Sequence, residues 1–309
     1  MLAGNKVLLT GLTGRIGAAV AERFAKSCEL WGLARFSREG SIEEAKALGV
    51  TPVRADYSSG ELSEVPKDFD YVLHVAADVS PPSAEAGMAA NSDGAAHLMM
   101  HCRSAKAFLH VSTTGVYKQH PDPEHLYSES ADLGGVFGEQ YSPTKLAGEG
   151  AVRAAAIILD LPTVICRQNV QYGGPHVNGG LIDRFIDHFV ETGEVFLPPQ
   201  GVMTMGPIHE ADICDIVEPS LQIASVPAEI MNWGGDELVE WRQMFEYVAA
   251  LLGRKPTFIR KAEFDFPSCF PDTSKRMKVA GPCKMKWKEG VRRSLQVRHP
   301  TLALRSVSA

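Results

Sequence analysis

The sequence predicts an α/β fold: a Rossmann-type, doubly wound parallel sheet with a smaller C-terminal lobe. Two observations predict it. In the first half of the chain, short apolar runs alternate with longer amphipathic stretches, which is typical of successive βαβ units. The apolar runs are also continuous, as expected for parallel strands that are covered on both faces.

The elements follow one another as this alternation requires. Val7–Leu9 is a purely aliphatic run before a glycine-rich turn, so it is predicted as the first strand, and the amphipathic segment Ile16–Lys26 as the first helix. The later segments repeat the pattern. The further predicted strands are Leu30–Ala34, Pro52–Val53, Tyr71–Val75, Ala107–Val111 and Thr163–Cys166, and the further helices are Ile42–Leu48, Ala84–Arg103 and Tyr141–Leu159.

The second half of the chain loses this rhythm. Helices are predicted over Leu181–Glu191, after Ile208 and over Trp241–Leu252, and a strand over Glu229–Trp233. We therefore predict a sheet domain over residues 1–172, to which 207–235 returns, and a smaller lobe made of 173–206 and 236–309.

Composition excludes several classes of protein. The 309 residues carry 31 Lys and Arg against 37 Asp and Glu, a net charge of −6, and 45% are hydrophobic, so a disordered, collagen-like or coiled-coil chain is excluded. Without a basic run, nucleic acid is not expected as a partner. The six scattered Cys form no CxxC pair, so no metal site is predicted. No leader or run of membrane-spanning length is recognisable, so a cytoplasmic protein without a membrane partner is expected.

A glycine-rich loop follows the first strand. Residues 10–17 read TGLTGRIG, a TGxxGxxG pattern between a strand and a helix. The first glycine permits the tight turn, the second lets a diphosphate approach the backbone, and the third lets helix and strand pack closely. The loop therefore predicts a dinucleotide site, with a purely structural turn as the alternative. The predicted contacts are Gly11, Thr13, Gly14, Arg15, Ile16 and Gly17.

The end of the second strand indicates which dinucleotide binds. An NAD site usually places Asp or Glu there to hold the ribose 2′-hydroxyl. This chain has Ala34 followed by Arg35, and a guanidinium can hold a 2′-phosphate through a forked contact. Arg15 and Arg38 are close enough in sequence to assist. NADP(H) is therefore favoured, and NAD(H) stays possible if Arg35 is an ordinary solvated side chain.

Tyr141 and Lys145 form a YxxxK pair at the start of the last long helix of the first half. Spacing i, i+4 places the phenol and the ammonium on one helical face. A neighbouring cation favours the phenolate and brings the phenol pKa toward the range of a useful acid or base. Thr113 ends the fifth strand, where ligands bind in such sheets, so it could hold a substrate oxygen; capping of the strand end is the alternative.

Together these motifs resemble the extended short-chain dehydrogenase/reductases, and among them the NAD(P)-dependent epimerase/dehydratase group. The resemblance covers roughly residues 5 to 297, with the motifs in the expected order. It rests on TGxxGxxG at 10–17, His74–Ala77, Asn91, STTGVY at 112–117, YxxxK at 141–145, Arg167–Gly173, Pro207–Asp212 and Asn232–Glu237.

The resemblance implies an NAD(P)-binding Rossmann domain, a small C-terminal substrate-binding lobe, and a homodimer formed by two long helices from each subunit. It also implies roles for individual residues. Tyr141 would be the catalytic acid/base, Lys145 would bind the nicotinamide ribose, and Thr113 would be the hydroxyl partner. The other implied residues are Asp56 at the adenine, Tyr57, Ala76, Ala77 and Asn91 in the cofactor site, and Thr114, Asn169 and His209 toward the substrate.

Two departures from the resemblance determine the functional prediction. Sugar-nucleotide members carry an Arg just before the strand that leads into the His/Asp motif, whereas this chain has Met203 to Met205 there. Dehydratases keep an Asp-Glu pair after the strand-five hydroxyl, whereas this chain has Thr114-Gly115. Both departures predict a small, non-nucleotide carbonyl or alcohol substrate with apolar lining from Met203, Met205 and Phe196.

The predicted enzyme is therefore an NADP(H)-dependent oxidoreductase (EC 1.1.1), with hydride from the nicotinamide and the proton from Tyr141. Two alternatives stay open. A sugar-nucleotide epimerase with tightly bound NAD(P) would use the same groups without net redox change. A non-catalytic, NADP(H)-sensing regulator would use the fold to bind a protein partner, although a sensor has no need of a proton donor.

Overall fold

The structure is a computed structural model that describes residues 1–135, 137–175 and 180–307. Its strands are β1 (Lys6–Thr10), β2 (Glu29–Ala34), β3 (Thr51–Arg54), β4 (Tyr71–His74), β5 (Ala107–Thr113), β6 (Leu126–Tyr127), β7 (Thr163–Gln168), β8 (Gln171–Tyr172), β9 (Glu194–Leu197), β10 (Thr204–Met205), β11 (Ile208–His209), β12 (Glu229–Trp233), β13 (Val239–Glu240), β14 (Thr257–Arg260) and β15 (Phe270–Pro271). Its helices are α1 (Arg15–Phe24), α2 (Ser41–Ala47), α3 (Ala84–Met88), α4 (Gly94–His101), α5 (Tyr141–Leu159), α6 (Leu181–Thr192), α7 (Glu210–Gln222), α8 (Trp241–Leu252), α9 (Ser274–Ala280) and α10 (Trp287–Arg298).

Seven strands form one sheet in the order β12-β7-β5-β4-β1-β2-β3. β1 pairs in parallel with β2 and β4, β2 with β3, and β4 with β5. The chain runs outward from β1 to β3 and then returns to β4 on the other side of β1, so the strand order reverses between β1 and β4. Ligands of such sheets bind at the carboxyl ends of the strands at this switch point. The predicted Rossmann-type α/β fold is confirmed.

The helix predicted over Ala84–Arg103 is not continuous. A π-helical turn, Ala89–Asp93, separates α3 from α4. Asn91 lies in this turn and is buried, with its side chain hydrogen-bonded to the backbone of Asp78. Apolar periodicity does not register such a polar contact, which is why the sequence predicted one helix. Turns of this kind are frequent at functional sites.

The chain divides into two compact units. The first comprises Met1–Val116, Leu133–Arg167 and Cys214–Met231. Its core packs aliphatic and aromatic side chains of the sheet strands against the apolar faces of α4 and α5. Members of this core include Leu8, Val72, Leu98, Phe108, Val152 and Ile165.

The second unit comprises Tyr117–Asp132, Gln168–Ile213 and Asn232–Ala309. Its strands form two-stranded pairs, β8 with β11, β9 with β14, β10 with β13 and β6 with β15. Trp241 is central to its core: the indole N–H donates to the Phe196 carbonyl oxygen (2.9 Å), and the ring packs on Phe245 and Phe264. The assignment of cofactor binding to the predicted sheet domain and substrate binding to the predicted lobe stays a prediction. Among the described residues, no helix is both long and apolar enough to cross a membrane.

Candidate active site

The glycine-rich loop joins β1 to α1 at the switch point of the sheet. Gly11 has a φ of +73°, and a Cβ there would lie 2.8 Å from the Cα of Ala76, just after β4. A Cβ on Gly17 would lie 2.1 Å from the Gly11 carbonyl oxygen. Gly14 is the N-cap of α1 and has no side chain that could accept from the first backbone N–H groups of the helix. These N–H groups can therefore bind an anion. These residues fit a dinucleotide diphosphate. Of the other predicted contacts, Thr13 and Ala77 are exposed, and Arg15, Ile16 and Ala76 are half-buried.

The end of β2 places Arg35 near two other predicted cofactor residues. Burial, with Asp56 adding to it, raises the pKa of the Tyr57 phenol to about 12, and the charge of Arg35 acts in the opposite direction. Arg35 is exposed. Arg38, by contrast, forms an ion pair with Glu44 on the surface. The structure therefore brings Arg35, rather than Arg38, to Asp56 and Tyr57.

The side chains of Tyr141 and Thr113 lie close enough together for the Thr113 hydroxyl to act on the phenol. Tyr141 is the first residue of α5, and Thr113 is the last residue of β5. Burial raises the pKa of Tyr141, whereas the Thr113 hydroxyl and the positive charge of Arg15 lower it. The phenol is thus a neutral proton donor, with an oriented hydroxyl beside it. Thr114, the other predicted substrate residue here, is buried in the 3₁₀ turn that follows β5.

Lys145 lies one helical turn after Tyr141 and is only 1% exposed. Its ammonium donates to the carbonyl oxygen of Val111 (2.7 Å), and its Nζ is 3.4 Å from Nε2 of His110. Burial lowers the pKa of Lys145 to about 8, and the carboxylate of Glu149 acts in the opposite direction. The roles of Lys145 toward the Tyr141 phenol and the nicotinamide ribose stay predictions.

Sequence reasoning missed a buried ion pair behind Lys145. Glu149 accepts from the guanidinium of Arg167 (Nη2–Oε2 2.7 Å; Nε–Oε1 3.0 Å) and from the hydroxyl of Ser112 (2.6 Å). All three side chains are buried. A buried pair adds little net stability, but it fixes a negative charge close to the lysine. Its sequence signal was the i, i+4 spacing of Glu149 from Lys145, which continues the helical face that carries Tyr141 and Lys145.

Asn91 holds the chain after β4 against α5. Its amide donates to the carbonyl oxygen of Asp78 (2.9 Å) and to the Thr144 hydroxyl (3.1 Å), and its Oδ1 accepts from the Asp78 N–H (2.9 Å). Thr144 directly precedes Lys145. The predicted role of Asn91 in ordering the active site therefore has a physical basis, although the contact of Asn91 with a cofactor stays a prediction.

The remaining predicted substrate residues lie in the second unit. The Asn169 amide donates to the Cys269 carbonyl oxygen (3.1 Å) and accepts from the Gly206 N–H (3.1 Å), so it ties three segments of that unit together. His209 is buried, and its Nδ1 accepts from the Ala211 N–H (3.1 Å). Burial lowers the pKa of His209, which makes it neutral at pH 7. Their contact with substrate stays a prediction.

A cavity of about 810 Å³ opens in the second unit. It combines cationic with aromatic side chains, and the ammonium of Lys261 lies 3.7 Å from the centre of the Phe196 ring. Met203 and Met205, which were expected to line a pocket with Phe196, are instead buried in the core of this unit. The lining residues are Arg184, Phe185, His188, Phe196, Arg260, Lys261, Ala262, Glu263, Phe264 and Phe266.

The fold and these side chains define a class of protein: a Rossmann-type enzyme with a glycine-rich dinucleotide loop and a Tyr-Lys pair on the helix beside strand five. Residues 7–234 match the NAD dependent epimerase/dehydratase family. The chain belongs to that family, which supports dependence on a nicotinamide dinucleotide. Among curated proteins, none matches the sequence significantly.

Several solved structures share the fold of the whole chain. UDP-glucuronic acid 4-epimerase from Bacillus cereus in complex with NAD is 20% identical over 96% of this chain and 99% of that chain, with a TM-score of 0.80. UDP-N-acetylglucosamine 4-epimerase from Methanobrevibacter ruminantium M1 is 19% identical over 96% and 98%, with a TM-score of 0.82. UDP-glucose 4-epimerase from Thermotoga maritima is 19% identical over 96% and 99%, with a TM-score of 0.83.

These comparisons correct the functional prediction. An EC 1.1.1 oxidoreductase that acts on a small, non-nucleotide substrate is wrong, because the similar solved structures are UDP-sugar 4-epimerases. A preference for NADP is not shown, since NAD is the dinucleotide in the Bacillus cereus complex. The error has a physical reason: the prediction took only the segment next to Met205 into account, whereas the cationic side chains that line the cavity of the second unit come from α6 and from the chain at and after β14.

Proposed function

We propose that this protein is a sugar-nucleotide epimerase that keeps its nicotinamide dinucleotide bound throughout the reaction. The observation that carries the proposal is the Tyr141–Thr113 pair, with Arg15 of the glycine-rich loop acting on the phenol. A proton donor next to a dinucleotide loop serves hydride chemistry on a carbonyl or alcohol. The likeness to UDP-sugar 4-epimerases over 96% of the chain supports an epimerisation as the net result.

The side chains of the first unit divide the work in a defined way. When bound, the dinucleotide accepts a hydride and returns it. In its phenolate form, which the positive charge of Arg15 favours, Tyr141 takes the proton of the reacting sugar hydroxyl as that carbon is oxidised to a carbonyl. The resulting phenol gives the proton back to the same oxygen when the carbonyl is reduced from its opposite face. Thr113 holds this oxygen through its hydroxyl, so the phenol stays within reach of it. Proton and hydride both return, and there is no net redox change.

The cavity of the second unit supports a substrate that carries phosphate and a planar base. Arg184 and Lys261 supply positive charge, which a diphosphate requires in place of a cation next to Met205. Phe185 and Phe196 add aromatic side chains to the lining, and a base packs favourably against such side chains. We propose that this cavity binds a nucleoside diphosphate.

The choice between NAD and NADP rests on the end of β2. Ala34 supplies no carboxylate for a ribose 2′-hydroxyl, and Arg35 lies near Asp56 and Tyr57. These features favour a dinucleotide with a 2′-phosphate. We propose that the site accepts NADP, in contrast to the NAD of the Bacillus cereus complex.

We also propose a homodimer through α4 and α5, which pack against each other in the first unit. Met100 of α4 and Ile157 and Ile158 of α5 are 59%, 58% and 80% exposed. Exposed apolar side chains on two helices that pack together favour burial by a second copy. Light scattering on the purified protein would give twice the mass of one chain, and Ile158→Glu would lower it to that of a monomer. An unaltered monomer mass in the wild type would contradict the proposal.

The central experiment uses the purified, desalted protein without added dinucleotide. UDP-glucose, UDP-glucuronic acid and UDP-N-acetylglucosamine are each incubated with it, and proton NMR of the anomeric signals follows the appearance of the 4-epimer. We expect conversion of at least one of them, with near-stoichiometric dinucleotide released on denaturation. Net consumption of added NADPH with a carbonyl substrate, or bound dinucleotide without turnover of any sugar nucleotide, would overturn the proposal.

A further inference from the structure

Three buried polar side chains form a row across the central strands. Thr10 of β1 lies opposite His74 of β4, and His74 lies opposite His110 of β5. The Thr10 Oγ1 is 2.8 Å from Nδ1 of His74, and the centres of the two imidazole rings are 5.1 Å apart. None of the three side chains is accessible to solvent. A sheet interior normally holds apolar residues at such positions, and buried polar side chains normally have hydrogen-bond partners.

Lys145 contacts this row from α5, and its chemistry fixes the protonation of His110. An ammonium can only donate, so Nε2 of His110, 3.4 Å from Nζ, is the acceptor. The single proton of a neutral imidazole then lies on Nδ1. Burial, with the charge of Lys145 as the second cause, lowers the pKa of His110 well below its usual value, so the ring is neutral. Within the described part of the chain, Nδ1 of His110 has no hydrogen-bond partner.

We propose that His110 is a positioning residue for Lys145, an inference that rests on the proposed epimerase function and on the predicted role of this lysine at the Tyr141 phenol and the nicotinamide ribose. Val111 and His110 together engage two of the three ammonium protons, which leaves one for a ligand. A neutral acceptor at this distance favours the ammonium over the amine, so His110 helps Lys145 to stay charged in a buried place. The other titratable groups around Lys145 are Tyr141 and Glu149 on its own helix, Arg167 of β7, which is paired with Glu149, and His74 of β4.

The first test does not depend on turnover. In protein labelled with ¹⁵N-histidine, the ring signals of His110 are assigned by their loss in His110→Phe. We expect the tautomer with the proton on Nδ1 across the neutral range, and a shift toward the Nε2-protonated form in Lys145→Met, where the donor is absent. A proton on Nε2 in the wild type, or an unchanged tautomer in Lys145→Met, would overturn the inference.

The second test follows the ionisation of Lys145 through the pH dependence of kcat/KM for the proposed epimerisation. His110→Phe keeps a ring but removes the acceptor, so the alkaline limb of kcat/KM should move to lower pH by about one unit. His110→Gln, whose amide oxygen can accept near the position of Nε2, should restore most of this shift. His74→Phe is the matched control, because this buried ring lies on the next strand and has no hydrogen bond to Lys145.

An unshifted limb in His110→Phe, or an equal shift in His74→Phe, would show that the histidines act only through packing. If His110→Phe does not fold, the ring signals of His110 are assigned by their loss in His110→Gln instead, and the tautomer measurement still decides the matter. Failure of the proposed function looks different: the tautomer is as expected, but no sugar nucleotide is epimerised.

Discussion

The carbonyl oxygen of Asn91 occupies the place of a side chain on Gly148, where a Cβ would lie 2.1 Å from it. This contact joins α5 to the π-helical turn that contains Asn91. Because α5 also carries Tyr141 and Lys145, the close approach of these two backbones sets the position of these predicted catalytic side chains along the sheet.

Gly148→Ala should therefore destabilise the protein by about 1–3 kcal/mol, since α5 must move away from the π-helical turn. Turnover should fall as well, because Tyr141 moves with the helix. Gly150→Ala is the matched control: a Cβ there meets nothing within 4 Å, and the substitution should add up to about 1 kcal/mol of stability. Denaturant unfolding of the wild type, Gly148→Ala and Gly150→Ala measures the two changes in stability, and steady-state rates measure the change in turnover. Equal stabilities of the two variants would contradict this account.

Much of the fold was predictable because local patterns and tertiary structure agree in the first half of the chain. The predicted bounds of α5, β12 and α8 match the structure. The π-helical turn was not predictable, since it places the Asn91 side chain against the backbone of Asp78, 13 residues away, and no local pattern encodes that contact. The short pairs of the second unit were missed for a similar reason: two-residue strands such as β8 and β11 leave no periodicity to detect.

The candidate site was predictable where a motif encodes its own geometry. The glycine-rich loop and the YxxxK pair are of this kind, and Thr113 follows from its place at a strand end. The contacts of Lys145 with His110 and Val111 were not predictable, because they depend on which strand α5 covers. The cationic cavity of the second unit was missed because Arg184 and Lys261 are far apart in sequence, and neither belongs to a motif.

Tyr141→Phe should lower kcat by about a hundredfold or more, since the ring stays but the proton donor is lost. Dinucleotide retained after desalting should stay near the wild-type amount. Thr113→Val should also lower kcat, because the hydroxyl beside the phenol is lost, whereas Thr113→Ser keeps this hydroxyl and should retain most activity. Steady-state rates on an epimerised UDP-sugar measure these effects, and full activity of Tyr141→Phe would remove the phenol from the mechanism.

Arg35→Ala should weaken NADPH binding to the apoprotein by about tenfold and leave NADH binding nearly unchanged, because the lost guanidinium would contact only the 2′-phosphate, which NADH lacks. Arg38→Ala is the charge-matched control, since this guanidinium is already paired with Glu44. Fluorescence titration of both nucleotides against the three proteins tests this. Equal losses for NADPH and NADH in Arg35→Ala would assign Arg35 a role other than recognition of the phosphate.

Arg184→Ala and Lys261→Ala should each weaken the binding of UDP by about tenfold, as expected for a charge-assisted contact with phosphate. Arg242→Ala removes the same charge from the second unit, but its guanidinium packs on the Phe258 ring and does not line the cavity. Isothermal titration calorimetry with UDP separates the two cases. Comparable weakening in all three variants would indicate a general charge effect, and would place the nucleotide elsewhere.

Because of Lys145, the stability of the protein and its activity should respond to rising pH in opposite directions. In the folded protein its pKa is lowered to about 8, whereas in the unfolded chain it has its ordinary value near 10.5. Between these values the unfolded chain binds more protons at this residue, so its contribution makes the free energy of unfolding rise with pH, by about 3 kcal/mol in all. The same deprotonation removes the positive charge beside the catalytic site, so kcat/KM should fall above pH 8. The stability of the wild type minus that of Lys145→Met, measured from pH 7.5 to 10.5, isolates this residue from the other groups that titrate, and a flat difference would show that its ammonium keeps its ordinary pKa.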